Sequence, residues 1–208
     1  MKITWYGHSC FGIESSEGSV ILDPYAPGSV PGCQLPALQA DRVLCSHEHA
    51  DHFCPEAVTL SGKKDGLQIR TVASFHDGDE GRKRGKNNIA VISCENLTAV
   101  HLGDLGHALS PEQIEQIGKT DILMIPVGGF YTVDAQQAFE ICEALHPGII
   151  IPMHFREEGR DYEVLATAEE FLKLFDKSRI LRKADNQLEP DASLYGKVVL
   201  LSHDAAEE

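Results

Sequence analysis

Four potential metal ligands crowd into six consecutive positions, His47-Glu48-His49-Ala50-Asp51-His52, directly after a strand-length run, Arg42–Cys45. In an extended segment alternate side chains share a face, so His47, His49 and Asp51 can project together, while a turn would carry His52 to a second centre beside the first. Imidazole and carboxylate suit zinc, and also iron or manganese. As a mere polar loop the segment makes little sense, because so many packed imidazoles gain nothing structurally and none relieves its neighbour's charge when protonated. Yet these four residues complete neither centre. The fold must bring further ligands from distant strand ends to the same sheet edge, where open α/β sheets place their sites.

The rest of the chain supplies such ends. Short strands are expected at Lys2–Tyr6, Cys10–Glu14 and Ser19–Leu22, closed by the turn-prone DPYAPGSVPG. Runs rich in Val and Ile follow at Ile69–Ser74, Ile89–Ser93, Leu97–Leu102, Asp121–Ile125, Ile149–Met153 and Val198–Leu201. Several are apolar on both faces, which implies sheets covered on each side. His76, Asp104 and His154 each follow one of these runs and are the candidate further ligands. Taken singly, His76 reads equally as a ligand or a polar loop residue, His154 equally as a ligand or a satisfied core histidine, and Asp104 has a turn explanation as half of a Gly-Asp pair. Their coincidence with residues 47–52 favours ligation, and a carboxylate at 104 can bridge two cations where a histidine cannot.

Helices declare themselves by their caps. Ser110-Pro111-Glu112-Gln113 predicts a start at Pro111 and an end near Gly118. Asp134-Ala135-Gln136-Gln137 and Thr167-Ala168-Glu169-Glu170 open two more, each followed by apolar residues at spacings of three and four: Ala138, Phe139, Ile141, Cys142 and Leu145, then Phe171, Leu172, Leu174 and Phe175. A strand-rich first half followed by alternating helix and strand fits one α/β (α+β) domain over 1–208, with two sheets and helices packed outside them. Only the terminal HDAAEE looks frayed.

Composition narrows the function. Lys and Arg number 18 against 32 Asp and Glu, and the net charge of −14 opposes loose binding to nucleic-acid phosphates or anionic membranes. No apolar stretch approaches the roughly 20 residues of a membrane span, and MKITWYGHSCF has no signal-peptide core, so a cytoplasmic location is expected. The six cysteines form no C-x-x-C pair and read as reduced, small apolar residues.

HEHADH resembles the H-x-H-x-D-H signature of the metallo-β-lactamase superfamily. GHSCF, ILDPY, the His76 loop, GDLGH, PVGGFYT and IPMHF follow the order seen in its small-hydrolase branch, which includes L-ascorbate-6-phosphate lactonase-like proteins. The resemblance implies a four-layer αββα sandwich of two mixed β-sheets flanked by helices, with metal at one edge. It further implies His47, His49 and His76 on a first metal, Asp51, His52 and His154 on a second, and Asp104 between them. The short segment 53–75 departs from many members and implies that a peripheral helix and strand are missing, together with the usual substrate cover. A histidine at 49, where diiron flavoprotein relatives carry an acidic residue, argues for hydrolysis over oxygen chemistry.

Two divalent ions, zinc foremost with manganese or iron as alternatives, lower the pKa of a bridging water from about 15.7 towards about 7 and polarise a carbonyl or phosphoryl oxygen. Their charge outweighs Asp51, Asp104 and a hydroxide, so an anionic substrate is attracted despite the acidic surface. The expected activity is hydrolysis of a small anionic ester, lactone or phosphoester, with the metal-bridging hydroxide as nucleophile. Asp51 would orient it and accept its proton, and His107 is a candidate proton donor, although His107 reads equally well as a surface or supporting residue. His8 and His101 read as buried, satisfied histidines. Asp77–Asn88, DGDEGRKRGKNN, is by default a mobile solvated loop, or else a lid whose Arg82 or Arg84 grips phosphate or carboxylate. Gly128-Gly129-Phe130-Tyr131 is a turn, or an approach of backbone and aromatic wall to substrate. The alternatives are a phosphodiesterase or nuclease, which the charge opposes, and a non-catalytic metal-binding module, which the seven candidate ligands oppose.

Overall fold

Strands form where the sequence is apolar on both faces or alternates, and the turns between them carry the polar motifs. The computed structural model describes residues 1–203, so positions 204–208 of the expected frayed tail lie outside the described residues. In chain order come β1 (Lys2–Trp5), β2 (Phe11–Ser15), β3 (Gly18–Leu22), β4 (Leu38–Ala40), β5 (Arg42–Leu44), β6 (Val58–Leu60), β7 (Gln68–Phe75), β8 (Lys86–Cys94) and β9 (Leu97–His101). They are followed by α1 (Pro111–Ile117), β10 (Ile122–Pro126), α2 (Ala135–Leu145), β11 (Ile149–Met153), α3 (Ala168–Leu172), β12 (Ile180–Arg182), β13 (Gln187–Leu188) and β14 (Lys197–Leu200).

Two mixed sheets result, ordered β13-β1-β2-β3-β5 and β12-β14-β11-β10-β9-β8-β7. One continuous core joins Ile3, Trp5, Phe11, Ile13, Val20 and Leu22 of the first sheet to Ile89, Val91, Val100, Ile122, Met124 and Ile149 of the second, so the sheets face each other. Every residue of β10 and β11 is buried, because helices cover the far face of the larger sheet as well. On the outer face of the smaller sheet a second cluster packs Cys10, Ile21, Tyr25, Val30, Leu38, Ala40 and Val58. It contains no helical residue. A parallel β4–β6 ribbon and the loop after β3 form this outer layer.

Topology explains why chemistry gathers at one edge. In the larger sheet β9, β10 and β11 run parallel, and two antiparallel steps through β8 return β7 to the same direction. In the smaller sheet β1 and β3 are related by two antiparallel steps through β2, and β5 lies parallel to β3. The segments that leave the C-terminal ends of these strands carry Gly7-His8, Asp23, Ser46-His47, His76, Gly103-Asp104 and His154.

The helix caps act as their sequences predict for α1 and α2, in which Ser110 with Gln113 and Asp134 with Gln137 complete reciprocal capping boxes. Helix α3 is shorter than its apolar spacing suggests. Thr167 makes no side-chain cap, and Leu174 and Phe175 bond back to Phe171 and Leu172 in tight i to i+3 turns. The segment 53–75 carries β6 and a single 3₁₀ turn, Pro55–Ala57, before β7. No helix of the described residues is long and apolar enough to cross a membrane.

Candidate metal centre

The turn after β5 is built to aim its imidazoles inward. Asp23 N–H donates to the Leu44 carbonyl, Ala26 N–H to Ala50, and His52 N–H to His49, which folds residues 46–52 over the sheet end. Three sets of donor atoms then lie within 4.8 Å of one another: His47, His49 and His76; His47, His52 and Asp104; and His8, His52 and His154. Asp104 stands in the middle. Its Oδ2 is 3.1 Å from His76 Nε2, 3.3 Å from His154 Nε2 and 3.9 Å from His47 Nε2, while Oδ1 is 3.1 Å from His52 Nε2. His49 alone of these imidazoles is exposed, so it marks the mouth, and His52 and Asp104 lie at the floor.

Hydrogen bonds behind the rings fix which nitrogen faces inward. Asp23 Oδ1 accepts from Ser46 N–H at 2.6 Å, and Oδ2 accepts from the Ser46 hydroxyl at 2.6 Å and from His52 Nδ1 at 2.7 Å. The Ser46 oxygen in turn stands 2.9 Å from His47 Nδ1. Both imidazoles thus turn bare Nε2 atoms towards Asp104, the orientation that outer carboxylates impose on metal-binding histidines. These atoms are orphans: His47 Nε2, His52 Nε2 and Asp104 Oδ1 are buried without a hydrogen-bond partner. Two acceptors 3.1 Å apart repel unless a proton or a cation lies between them, so the donor set fits a bound cation.

The charges follow the same logic. Burial would raise the Asp104 carboxyl, but the His154 and His52 imidazoles outweigh it and hold the group well below the usual carboxylate range. Burial would lower His52, yet Asp104 and Asp23 push it well above the usual histidine value, so this ring takes a proton where no cation sits. Burial, reinforced by His52, holds His47 down to about 3, leaving its lone pair free for a metal.

Around this cluster the candidates separate. Asp51 belongs to none of the three sets. Its Oδ2 is 3.7 Å from His8 Nε2 and 3.3 Å from the Tyr162 hydroxyl. His8 stands beside the cluster, its ring centre 4.1 Å from that of His154 and 5.0 Å from that of His52. It is not the satisfied core histidine that GHSCF suggests, because its Nε2 is buried and unpartnered. The reason is invisible locally: its partner Asp161 lies 153 residues away. The pair lifts His8 to about 9, since Asp161 overcomes the burial that would depress it. His101 is buried with both nitrogens satisfied, as its sequence context suggests, with Nε2 2.9 Å from the Ser9 carbonyl and Nδ1 accepting from Gly103 N–H. His107 is held by backbone at both ring nitrogens: Nε2 accepts from Phe75 N–H, and Nδ1 donates to the Ala108 carbonyl at 2.7 Å. The structure therefore gives it no free atom for proton donation, which corrects the expectation drawn from GDLGH.

The loop after His76 is also unlike its composition. Buried Asp77 accepts from the N–H groups of Asp79, Gly81, Lys83 and Arg84 at 2.7–3.0 Å, and His76 N–H closes the loop on the Gly85 carbonyl at 3.1 Å. Instead of a loose solvated segment, a closed ring of backbone results. Arg82 turns away to Asp79. Arg84 lies over the Tyr131 ring, 5.5 Å from its centre, with no ion-pair partner among the described residues. Tyr131 touches Phe130, which is 63% exposed, and Tyr162.

Comparisons with known proteins identify the family. The family model of the β-lactamase superfamily domain matches residues 2–154. A UPF0173 protein of Pyrococcus furiosus is 30% identical over 207 residues, spanning 86% of this chain and 93% of its own. A UPF0173 metal-dependent hydrolase of Thermoplasma acidophilum is 26% identical over 188 residues, spanning 74% of this chain and 83% of its own. A candidate Zn-dependent hydrolase of the metallo-β-lactamase superfamily from Thermotoga maritima, a solved structure, matches with a TM-score of 0.77 and 35% identity over 96% of this chain and 97% of that one.

Proposed function

Because the chain belongs to the β-lactamase superfamily, we propose that it is a metal-dependent hydrolase whose histidine cluster around Asp104 would hold two divalent cations, zinc by preference. The observation that carries this reading is the set of buried, unpartnered donor atoms on His47, His52 and Asp104. Leaving such atoms dry costs about 1–3 kcal/mol each, and three of them converging at one point favour a bound group there. When bound, such a pair of ions supplies ionised water at neutral pH and polarises the scissile carbonyl or phosphoryl oxygen.

The chain's own residues divide the remaining work. His47, His49 and His76 would hold one cation, and His52 and His154 would hold the other. Asp51 stays ionised, because the neighbouring His8 and His52 imidazoles together outweigh the burial that would raise its carboxyl, so it can accept a proton at Oδ2. Arg84 grips an anionic group of the substrate. Its guanidinium is pre-oriented on Tyr131, has no carboxylate partner among the described residues, and rises from the loop that closes on His76, a disposition suited to forked contact with carboxylate or phosphate. Phe130 and Tyr131 offer that substrate an apolar wall. The reading is therefore hydrolysis of a small anionic ester, lactone or phosphoester.

Metal analysis of the purified protein and turnover on lactone, ester and phosphodiester panels test it. Two zinc ions per chain, with hydrolysis lost in Asp51→Ala while the fold persists, are the expected outcome. A folded protein that takes up no stoichiometric zinc, or a fully loaded one inert on every panel, refutes it.

A further inference from the structure

We infer that His8 is itself a ligand of the inner cation, completing a trio with His52 and His154, and that Asp161 is the positioning residue that aims it. The inference rests on the two-cation reading above and adds to it a ligand that HEHADH does not contain. His8 Nδ1 lies 2.9 and 3.0 Å from the two carboxylate oxygens of Asp161, so this nitrogen carries a proton and donates it. Nε2 is left facing the cluster, buried and without a partner, within 4.8 Å of the donor atoms of His52 and His154. The arrangement repeats the one at His52, whose Nδ1 is bound by Asp23 and whose Nε2 is equally unpartnered. A carboxylate behind an imidazole with a bare inward nitrogen is the usual outer shell of a metal-bound histidine.

The backbone is shaped for the same purpose. Gly7 at φ +92 and His8 at φ +50 both lie in the left-handed region, as does His154 at φ +52. Bulky residues hold that conformation only where their surroundings over-determine it. Here the His8 carbonyl accepts both Trp5 Nε1–H at 3.0 Å and His154 N–H at 3.1 Å, which ties one proposed ligand to the other through the main chain. Asp161 is fixed independently, its N–H donating to the Pro31 carbonyl at 2.8 Å. Asp51 belongs to none of the three donor sets, and its Oδ2 lies 3.7 Å from His8 Nε2, within reach of the same cation's surroundings.

Zinc titration against a competing chelator tests the assignment in the full-length wild type, His8→Asn and Asp161→Asn. Asparagine suits the left-handed backbone at position 8 and cannot supply an imidazole. The expected result is two zinc ions in the wild type, with the outer one retained in both variants and the affinity for the inner one reduced by about 10- to 100-fold. Nitrogen NMR of the cadmium-loaded, histidine-labelled wild type adds a readout that a merely structural role would not move: a ring nitrogen split by cadmium and assigned to His8. Variants that fold and bind both zinc ions with wild-type affinity overturn the inference alone, as does a fully loaded wild type in which the His8 nitrogen shows no cadmium splitting. A wild type that binds no zinc overturns both the inference and the reading beneath it. If His8→Asn fails to fold, Asp161→Asn and the cadmium spectrum decide.

Discussion

Replacing Asp23 with asparagine changes one atom and sets two demands in conflict. Its carboxylate serves three donors: Ser46 N–H on one oxygen, and the Ser46 hydroxyl and His52 Nδ1 on the other, all at 2.6–2.7 Å. An amide has one acceptor oxygen. If that oxygen faces Ser46 N–H, the amide NH2 meets His52 Nδ1 and forces the ring proton onto Nε2, the atom that must face the metal. If the amide is flipped, its NH2 confronts Ser46 N–H, donor against donor. Either way one charge-assisted bond, about 1.5–3 kcal/mol, is lost and a buried group is strained, so the metal-free variant should be about 2–4 kcal/mol less stable. For a domain of this size that is a fall in Tm of about 4–16 °C. Because the ring now presents the wrong tautomer, affinity for the inner cation should drop by about 10- to 100-fold. Urea unfolding with a chelator present measures the first effect, and chelator competition for zinc measures the second. A variant within about 0.5 kcal/mol of wild type, with unchanged zinc affinity, would refute the argument that Asp23 sets the tautomer.

Three further expectations can be checked separately. Gly106→Ala places a Cβ 2.4 Å from the Asp77 nitrogen and the His76 carbonyl carbon, backbone that cannot swing aside, so it should cost at least about 1–3 kcal/mol in thermal or urea unfolding and weaken zinc binding through His76. Arg84→Ala should raise KM for anionic substrates by about 10- to 150-fold, the loss of one charged contact of about 1.5–3 kcal/mol, with kcat little changed, whereas Arg82→Ala, whose guanidinium is turned to Asp79, should leave steady-state kinetics unaltered. Asp121 is pulled below its ordinary value because bonds from Lys119, Thr98 N–H and the Tyr195 hydroxyl outweigh burial. Its contribution is therefore complete above pH about 4 and fades as the pH falls through the depressed value. The stability gap between wild type and Asp121→Asn in urea should be flat at neutral pH and close in acid. A gap that widens in acid would contradict the sign.

The parts legible in the sequence were those with a local cause. Strands such as β10 and β11 show themselves because five successive apolar residues bury both faces, and α1 and α2 because their caps are chemical signatures. Strands β4 and β6, three residues each, are stabilised mainly by pairing with each other across the chain, and Leu-Gln-Ala or Val-Thr-Leu carries no sign of it. Helix α3 keeps the apolar spacing, but its last residues close in i to i+3 turns and its cap hydroxyl makes no bond, neither of which the spacing reveals. In the site, residues 47–52, 76, 104 and 154 announce themselves by chemistry at strand ends. His8 does not, since its orientation depends on Asp161, and only the Gly7-His8 turn hints that the ring is thrown out of line. His107 misleads for the converse reason: a histidine beside a motif looks reactive until Phe75 and Ala108 are seen holding both nitrogens.

The four N–H groups gathered on the Asp77 carboxylate mean that the wall beside His76 is set before any reactant arrives. On the proposed reading a reactant would meet a contour already cast, as a key meets its wards. Selectivity on this side then resides in outline and charge, and evolving towards a new reactant means recutting the contour, because this segment offers no hinge to retime.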